Sequence, residues 1–435
     1  MLLIFVPIIT KRIEYVFSHI FKEISGIDYS LTTEKTVFSH SSQPKFSYSK
    51  TPLDNELFFH AEGLLEQAEV NPFVPETGHF QNIITLFPNS NEASALPYDI
   101  FSAVFFMLSR YEEYLPFTPD KHDRFEAAQS LAFQFGFLQE PVVDLWIKQL
   151  AGILKSAFPD LKFREKKFIF TPTYDIDIAY AYRCKGFLRS SGGFLKDAFT
   201  GNFSNFFTRL KVILNITTDP SDTYDYQFGL QKKYELHPVY FFHPGTYGKF
   251  DKNCSPENKN IRKLLQSISN HADLGIHPSY LSSGKTEMLA AEIGRLEKAS
   301  GRKITKARQH FIRISLPETY QNYIKNNITD DYSMGFATET GFRAGTSEPF
   351  YFFDLQKNEE TKLLIHPFAL MDGVYIQYHP ATAEEIPEKI RPLIAQVKAL
   401  NGTFISLFHN NTFCDTPEMR HWRDIYEEII KFAMK

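Results

Sequence analysis

Two carboxylates stand one residue apart where an apolar run ends: Lys167-Phe168-Ile169-Phe170-Thr171 leads into Pro172-Thr173-Tyr174-Asp175-Ile176-Asp177. Side chains alternate along extended backbone, so Asp175 and Asp177 are expected to point the same way. Such a pair can hold a divalent cation or divide the work of ligand and general base. A histidine closes two further apolar runs, His277 in Leu274-Gly275-Ile276-His277-Pro278-Ser279 and His409 in Phe404-Ile405-Ser406-Leu407-Phe408-His409. In Lys306-Ala307-Arg308-Gln309-His310-Phe311-Ile312, period-two spacing puts Arg308, His310 and Ile312 on one face. Inward Arg and His are uncommon on a strand unless carboxylates pair with them. Taken singly, each feature has a bland reading, an acidic turn capping a helix or a histidine filling a loop. Together they place two Asp, three His and an Arg where strand ends deliver residues to one rim. Neutral imidazole and carboxylate are the donor set of zinc and related divalent ions, and a catalytic site leaves one position for water.

The elements that must position these residues are legible as a pattern. From residue 167 onward, short β-rich runs at 167–171, 239–242, 363–365 and 403–408 are separated by helical patterns at 261–272, 285–300, 317–326 and 387–400. Repeated alternation of this kind implies parallel strands joined by crossovers. No glycine-rich phosphate loop follows any strand, which favours an α/β barrel over a nucleotide-binding open sheet. Upstream, residues 2–6 read as a buried strand and 11–24 as a helix, 25–97 as a turn-rich mixed region, and 99–114 and 141–158 as two further helices. The charged stretch 159–166 reads as a joint. The expected organisation is an N-terminal α/β domain over 1–160 and a (β/α) barrel over 167–435.

Bulk properties narrow the partners. The 47 basic and 51 acidic residues are mixed along the chain, with a net charge of −4, so a nucleic-acid partner is not expected, because phosphate-binding surfaces concentrate Lys and Arg. Cys184, Cys254 and Cys414 are scattered without CxxC spacing, which argues against a disulfide framework and a thiolate zinc site. Residues 1–10 lack a basic region ahead of the apolar run and a small-residue cleavage pattern. No stretch approaches the roughly 20 apolar residues of a membrane span. A cytoplasmic protein without a membrane span is the expectation.

The constellation resembles the polysaccharide deacetylase family, the NodB homology domain of carbohydrate esterase family 4. Thr173-Tyr174-Asp175-Ile176-Asp177, His277-Pro278-Ser279, Arg308 and Leu407-Phe408-His409 match that family's motifs in order. The whole chain is similar to a bacterial subgroup in which an N-terminal domain of unknown function precedes the deacetylase-like one. That domain here contains Leu108-Ser109-Arg110-Tyr111-Glu112-Glu113-Tyr114 and Asp120-Lys121-His122-Asp123-Arg124-Phe125. The resemblance implies a distorted, seven-stranded (β/α) barrel and a metal-dependent hydrolase that removes acetyl groups from an acetylated sugar in a glycan or its precursor. It implies a divalent metal, zinc first, on Asp177 and His277, with a third ligand for which His310 is the expected residue. It further implies Asp175 as base, Arg308 as its orienting partner and His409 as the acid that protonates the leaving amine.

Two departures stand out. Ile176 separates carboxylates that are adjacent in the family, which leaves open which of Asp175 and Asp177 is base and which is ligand. The family's second histidine, four residues after the first, is replaced by Leu281, so His310 is expected to supply the third ligand. The alternatives are an inactive barrel that binds a glycan or protein partner, and a glycosidase, which would need two carboxylates flanking the sugar bond about 5 to 9.5 Å apart. The Phe- and Tyr-rich segments 241–243 and 350–352 are expected to be core first and sugar-stacking platforms second.

Overall fold

An apolar strand buried at every position opens the chain: Leu2–Phe5 (β1) lies inside its sheet, with Leu2 and Ile4 in the main apolar core and Leu3 and Phe5 packed with Phe38 on the opposite face. The computed structural model describes residues 1–435. Strands β2 (Tyr29–Thr32), β3 (Lys45–Ser49) and β4 (Leu57–His60) join β1 in a parallel sheet of order β2-β1-β3-β4. A hairpin of β5 (Thr77–Phe80) and β6 (Ile83–Leu86) stands apart from it. The helix expected over 11–24 is α-helical over Lys11–Phe17 and widens to π geometry over Ser18–Ile24. Thr10 caps it, its hydroxyl accepting from the Ile13 amide at 3.1 Å and so satisfying one of the free N–H groups of the first turn.

The helix expected over 99–114 ends early, at Leu108. Arg110 takes a left-handed conformation (φ 53°) and the chain resumes as one tight turn over Tyr111–Tyr114. Ion pairing accounts for the break: it brings Arg110 Nε to 2.8 Å from Glu113 Oε1, and Glu113 also receives Arg343 through Nε at 2.9 Å and Nη2 at 2.6 Å. Burial would raise the Glu113 carboxyl, but Arg343 and Arg110 outweigh it and bring it down to about 2. A carboxylate depressed in the folded state stabilises above its unfolded pKa, and that contribution is lost as pH falls from about 4.5 through about 2. Glu113→Ala leaves the buried Arg343 without a counter-charge and Arg110 with Glu112 alone, and is expected to cost about 3–5 kcal/mol. Urea unfolding at neutral pH measures it, and an unchanged midpoint would show that the pair contributes nothing net.

The second sheet carries β7 (Ile169–Ile176), β8 (Val239–Phe242), β9 (Asp273–Ile276), β10 (Lys306–Ala307), β11 (Asp330–Asp331), β12 (Phe350–Asp354), β13 (Glu359–Ile365), β14 (Leu370–Met371) and β15 (Thr403–His409). Its order is β12-β13-β11-β10-β9-β8-β7-β15-β14, parallel throughout except for the β12–β13 pair. The fold is therefore mixed α/β with two parallel sheets. The expected closed seven-stranded ring is not present as a continuous ladder, since nothing pairs β14 with the far edge. The sheet is nonetheless strongly rolled. Only His366 to Ala369 separate β13 from β14, a link that spans at most about 18 Å. Its amides turn from one side to the other, with His366 N donating to Asp331 O at 2.8 Å and Ala369 N to Ile405 O at 3.1 Å.

Parallel pairing sends the C-terminal ends of β7, β8, β9, β10 and β15 to the same rim. One apolar core runs beneath both sheets, from Leu2 to Ala433. Phe241, Phe242, Phe350 and Phe352 are buried in it, so these rings serve packing and not sugar stacking. No helix is long and apolar enough to cross a membrane.

Candidate active site

Strand β7 runs further than its apolar residues suggest, to Ile176, and its register sets Asp175 between His409 on β15 and Phe241 on β8. Asp177 is the first residue beyond the strand. Across the rim, His277 follows β9, and its Nδ1 lies 2.7 Å from the carbonyl of Arg308. A carbonyl only accepts, so Nδ1 carries the proton and Nε2 keeps its lone pair. That Nε2 lies 3.1 Å from Asp177 Oδ1 and 3.7 Å from Asp175 Oδ2. Asp177 Oδ1 is buried and has no hydrogen-bond partner. Two lone-pair groups facing each other without a proton between them are the donor arrangement that a divalent cation satisfies.

His310 completes the group from an unexpected backbone. The strand expected over 306–312 pairs only at Lys306–Ala307; two successive residues at positive φ, Phe311 (60°) and Ile312 (54°), then turn the chain. Strand alternation therefore does not place Arg308, His310 and Ile312 on one face. The turn presents His310 Nε2 3.7 Å from Asp177 Oδ2, while Nδ1 lies 3.1 Å from Asp251 Oδ1. With Nδ1–H donated to that carboxylate, Nε2 is free as a ligand atom, and Asp251 both orients the ring and strengthens its basicity. Asp177, His277 and His310 thus form one group able to hold a metal, and His243, Asp251 and His310 form an adjoining one. His243 donates Nδ1–H to the carbonyl of His277 at 3.0 Å, and its buried Nε2 makes no hydrogen bond and lies 3.4 Å from Asp251 Oδ1.

The electrostatics follow from this crowding. Burial alone would raise Asp177, but His310 and His277 outweigh it and hold it well below the usual carboxylate range. Burial opposes charge on His310, yet Asp177 and Asp251 push it up to about 9. A cation binding here displaces protons, so its affinity falls as pH falls.

Arg308 is wholly buried and donates from Nη1 to Asp175 Oδ1 at 3.0 Å and to Thr173 Oγ1 at 2.6 Å, and from Nε to Tyr332 O at 2.8 Å. Its guanidinium lies 4.5 Å above the Phe241 ring. A Cβ at residue 275 would stand 2.6 Å from that ring, so Gly275 is what admits Phe241 beneath the arginine. On the other side, His409 at the end of β15 has Nδ1 2.7 Å from Asp372 Oδ1 and Nε2 3.8 Å from Asp177 Oδ2. The Thr412 hydroxyl and the His409 amide also bind Asp372. Burial opposes charge on His409 as well, but Asp372, then Asp177 and Asp175, raise it to about 10.

All six residues singled out in the sequence therefore converge on one rim. Sequence reasoning missed Asp251, Asp372 and His243. Asp251 sits in a charged loop and Asp372 beyond a two-residue strand, neither with a pattern that marks it. Leu281, where the resemblance expects a histidine, is exposed on the turn Tyr280–Ser282. The N-terminal motif at 120–125 acts here too: Arg124 Nη1 donates to the carbonyl of Phe311 at 2.9 Å, and His122 packs against the Phe311 ring at 4.8 Å. These contacts hold the turn that presents His310. A cavity of about 180 Å³ is lined by Asp175, Asp177, His277, His310 and His409. It shares Asp177, Gly373, Gln377 and His409 with a larger groove of about 1130 Å³.

Residues 2–159 match a protein family described as a family of unknown function, DUF7033. No curated protein matches the chain. Among solved structures, the chain is similar to a putative polysaccharide deacetylase from Mycobacterium smegmatis, at 13% identity over 61% of this chain and 85% of that one, with a TM-score of 0.38. It is also similar to a polysaccharide deacetylase from Bacillus cereus, at 8% identity over 61% and 86%, with a TM-score of 0.31. A third similar structure is a 4-alpha-glucanotransferase from Thermococcus litoralis, at 14% identity over 61% and 38%, with a TM-score of 0.35.

Proposed function

We propose that the protein is a metal-dependent hydrolase that removes an acetyl group from an acetamido sugar in a glycan or glycan precursor. The observation that carries this reading is a three-part site, with Asp177, His277 and His310 between an Asp175–Arg308 pair and a His409–Asp372 pair. Asp177, His277 and His310 would hold the cation, for which zinc suits the donors. When bound, such a cation supplies Lewis acidity and lowers the pKa of water from about 15.7 towards about 7.

The chain's own residues supply the proton transfers. Asp175 is 2% exposed and takes the proton of the attacking water at Oδ2, the oxygen that Arg308 leaves free. Arg308 fixes the carboxylate through Oδ1. His409 holds a proton on Nε2 and gives it to the departing amine, while Asp372 sets the ring's orientation and supports the imidazolium. Asp177 touches all three histidines whereas Asp175 touches Arg308 and His277, and this favours Asp177 as ligand and Asp175 as base. Asp175 and Asp177 both approach His277 Nε2, within 3.7 and 3.1 Å, an arrangement unsuited to flanking a glycosidic bond. Counting β13 and β14 as one broken strand and leaving aside the antiparallel β12 gives the rolled sheet seven positions, in keeping with a distorted barrel over 167–435 and a unit over 1–160 that buttresses it.

Metal analysis tests the reading: purified protein should carry one zinc per chain, and His277→Ala combined with His310→Ala should carry none. Equal metal content in both proteins would overturn the ligand assignment. Asp251→Asn is expected to weaken metal binding by about 10- to 100-fold, because it removes the carboxylate that orients His310. Competition with a chromogenic chelator reads this, and an unchanged affinity would show that His310 needs no such support.

A further inference from the structure

Between β7 and β8 the chain inserts a helical hairpin, Gly186–Phe199 and Phe203–Ile213, most of whose large apolar residues are exposed. The hairpin is held together from within. Phe194 packs against Phe206 at 5.0 Å, and Asp197 receives Arg209 Nε at 2.9 Å. A Cβ at residue 193 would stand 2.4 Å from the Arg209 guanidinium, so Gly193 lets the arginine cross between the helices. The outer residues contribute nothing to that packing: Phe187 is 84% exposed, Leu188 85%, Phe199 88% and Phe203 60%. Ten of the 24 large exposed hydrophobic side chains lie within residues 187–216. Such clustering marks a contact surface, since isolated exposed hydrophobics are ordinary and contiguous ones are not.

Charge identifies what the surface meets. Residues 183–216 hold six basic side chains and one acid, a net of +5 in a chain whose total is −4, so the remainder carries −9. A second copy of the chain would bring two such positive faces together, whereas an anionic lipid surface complements both the charge and the apolar stripe. Helices of 14 and 11 residues are too short to span a bilayer and suit lying in its interface.

We propose that this hairpin docks the protein on an anionic bilayer. Ser204, Asn205, Thr208 and Lys211 of its second helix line the groove that also contains Asp177 and His409, so docking sets the mouth of the site at the lipid surface. Resting on the deacetylase reading, the substrate class is then an acetylated saccharide carried on a membrane lipid.

Co-sedimentation with vesicles tests the docking. The full chain should bind vesicles of equal parts phosphatidylglycerol and phosphatidylcholine, bind phosphatidylcholine alone weakly, and be released by salt. The variant with Phe187, Leu188, Phe199, Phe203 and Phe207 all changed to Ser should lose about 10²-fold or more in partitioning while keeping its acetate release from a soluble acetylated oligosaccharide. Should that variant not fold, Lys196→Glu keeps the apolar stripe and should weaken binding to the anionic vesicles by about fivefold or more. Equal sedimentation of wild type and variants would overturn docking. So would a concentration-dependent dimer that the Ser variant abolishes, in a wild type that ignores vesicles. Vesicle binding without acetate release would overturn the deacetylase reading and the lipid-carried substrate while leaving docking in place.

Discussion

Replacing Asp175 by Asn is expected to reduce acetate release by about 10²- to 10⁴-fold while leaving the metal in place, and replacing Asp177 by Asn is expected to remove the metal itself. Proton transfer by a positioned base contributes a factor of that size. An amide has nearly the shape of the carboxylate but cannot take up the proton. Its oxygen still accepts from Arg308 Nη1, now 3.0 Å from Asp175 Oδ1, so the fold survives, with lower stability because the buried guanidinium loses its counter-charge. Asp177 has a different environment. Its two oxygens face His277 at 3.1 Å and His310 at 3.7 Å, so loss of its charge removes a ligand and not a base. Metal content and single-turnover acetate release, measured on both variants, separate the roles. Loss of metal from the Asp175 variant with retention in the Asp177 variant would reverse the assignment.

His409→Ala should lower turnover on an amide substrate by about 10²- to 10⁴-fold with almost no change in metal affinity. An acid must hold its proton at working pH, and a nearby divalent cation pushes an imidazole towards neutrality, so a carboxylate neighbour is needed. Asp372, 2.7 Å from His409 Nδ1, meets that requirement, and with Asp177 and Asp175 it lifts His409 to about 10 against the effect of burial. The same variant should lose much less on an activated ester, whose leaving group departs without a proton. Equal losses on amide and ester would reject His409 as the acid. Asp372→Asn should reproduce the amide-selective loss with the ring still present, because it removes the charge that supports the imidazolium.

The parts of this site that were legible in the sequence are those attached to regular structure. Asp175, His277 and His409 each follow an apolar run, and parallel pairing of such runs forces their ends to one rim. The illegible parts depend on loops and long-range pairs. Asp251 and His310 are 59 residues apart, and Asp372 and His409 are 37 apart, separations at which no local period links them. The backbone at His310 departs from the local pattern for a related reason. Alternation suggests a strand through Ile312, but aromatic contacts of Phe311 with His122, Phe250 and Tyr280 favour a left-handed turn that local pattern does not encode. The early end of the helix at Leu108 has the same origin, an ion pair between Glu113 and Arg343, 230 residues away.

The sheet shows the limit from another side. Alternation of β-rich and helical runs is enough to imply parallel strands, and the observed order is parallel except at the β12–β13 pair. Closure is a different matter, set by how the short link from His366 to Ala369 exchanges partners between β11 and β15. The sequence pattern assigns no element to 186–213, and an amphipathic pattern there would look the same as in a core-facing helix. Periodicity reports that a helix has an apolar face and says nothing of whether the protein covers it.

Acetate release from a panel of N- and O-acetylated amino-sugar oligosaccharides, with the protein as purified, after chelation and after return of zinc, tests the central claim most directly. The account predicts release from at least one N-acetylated member, its loss on chelation to the level of the Asp175→Asn variant, and its recovery with zinc. Release that is unchanged by chelation, or an absence of release from every member by a protein that holds its metal, would contradict it.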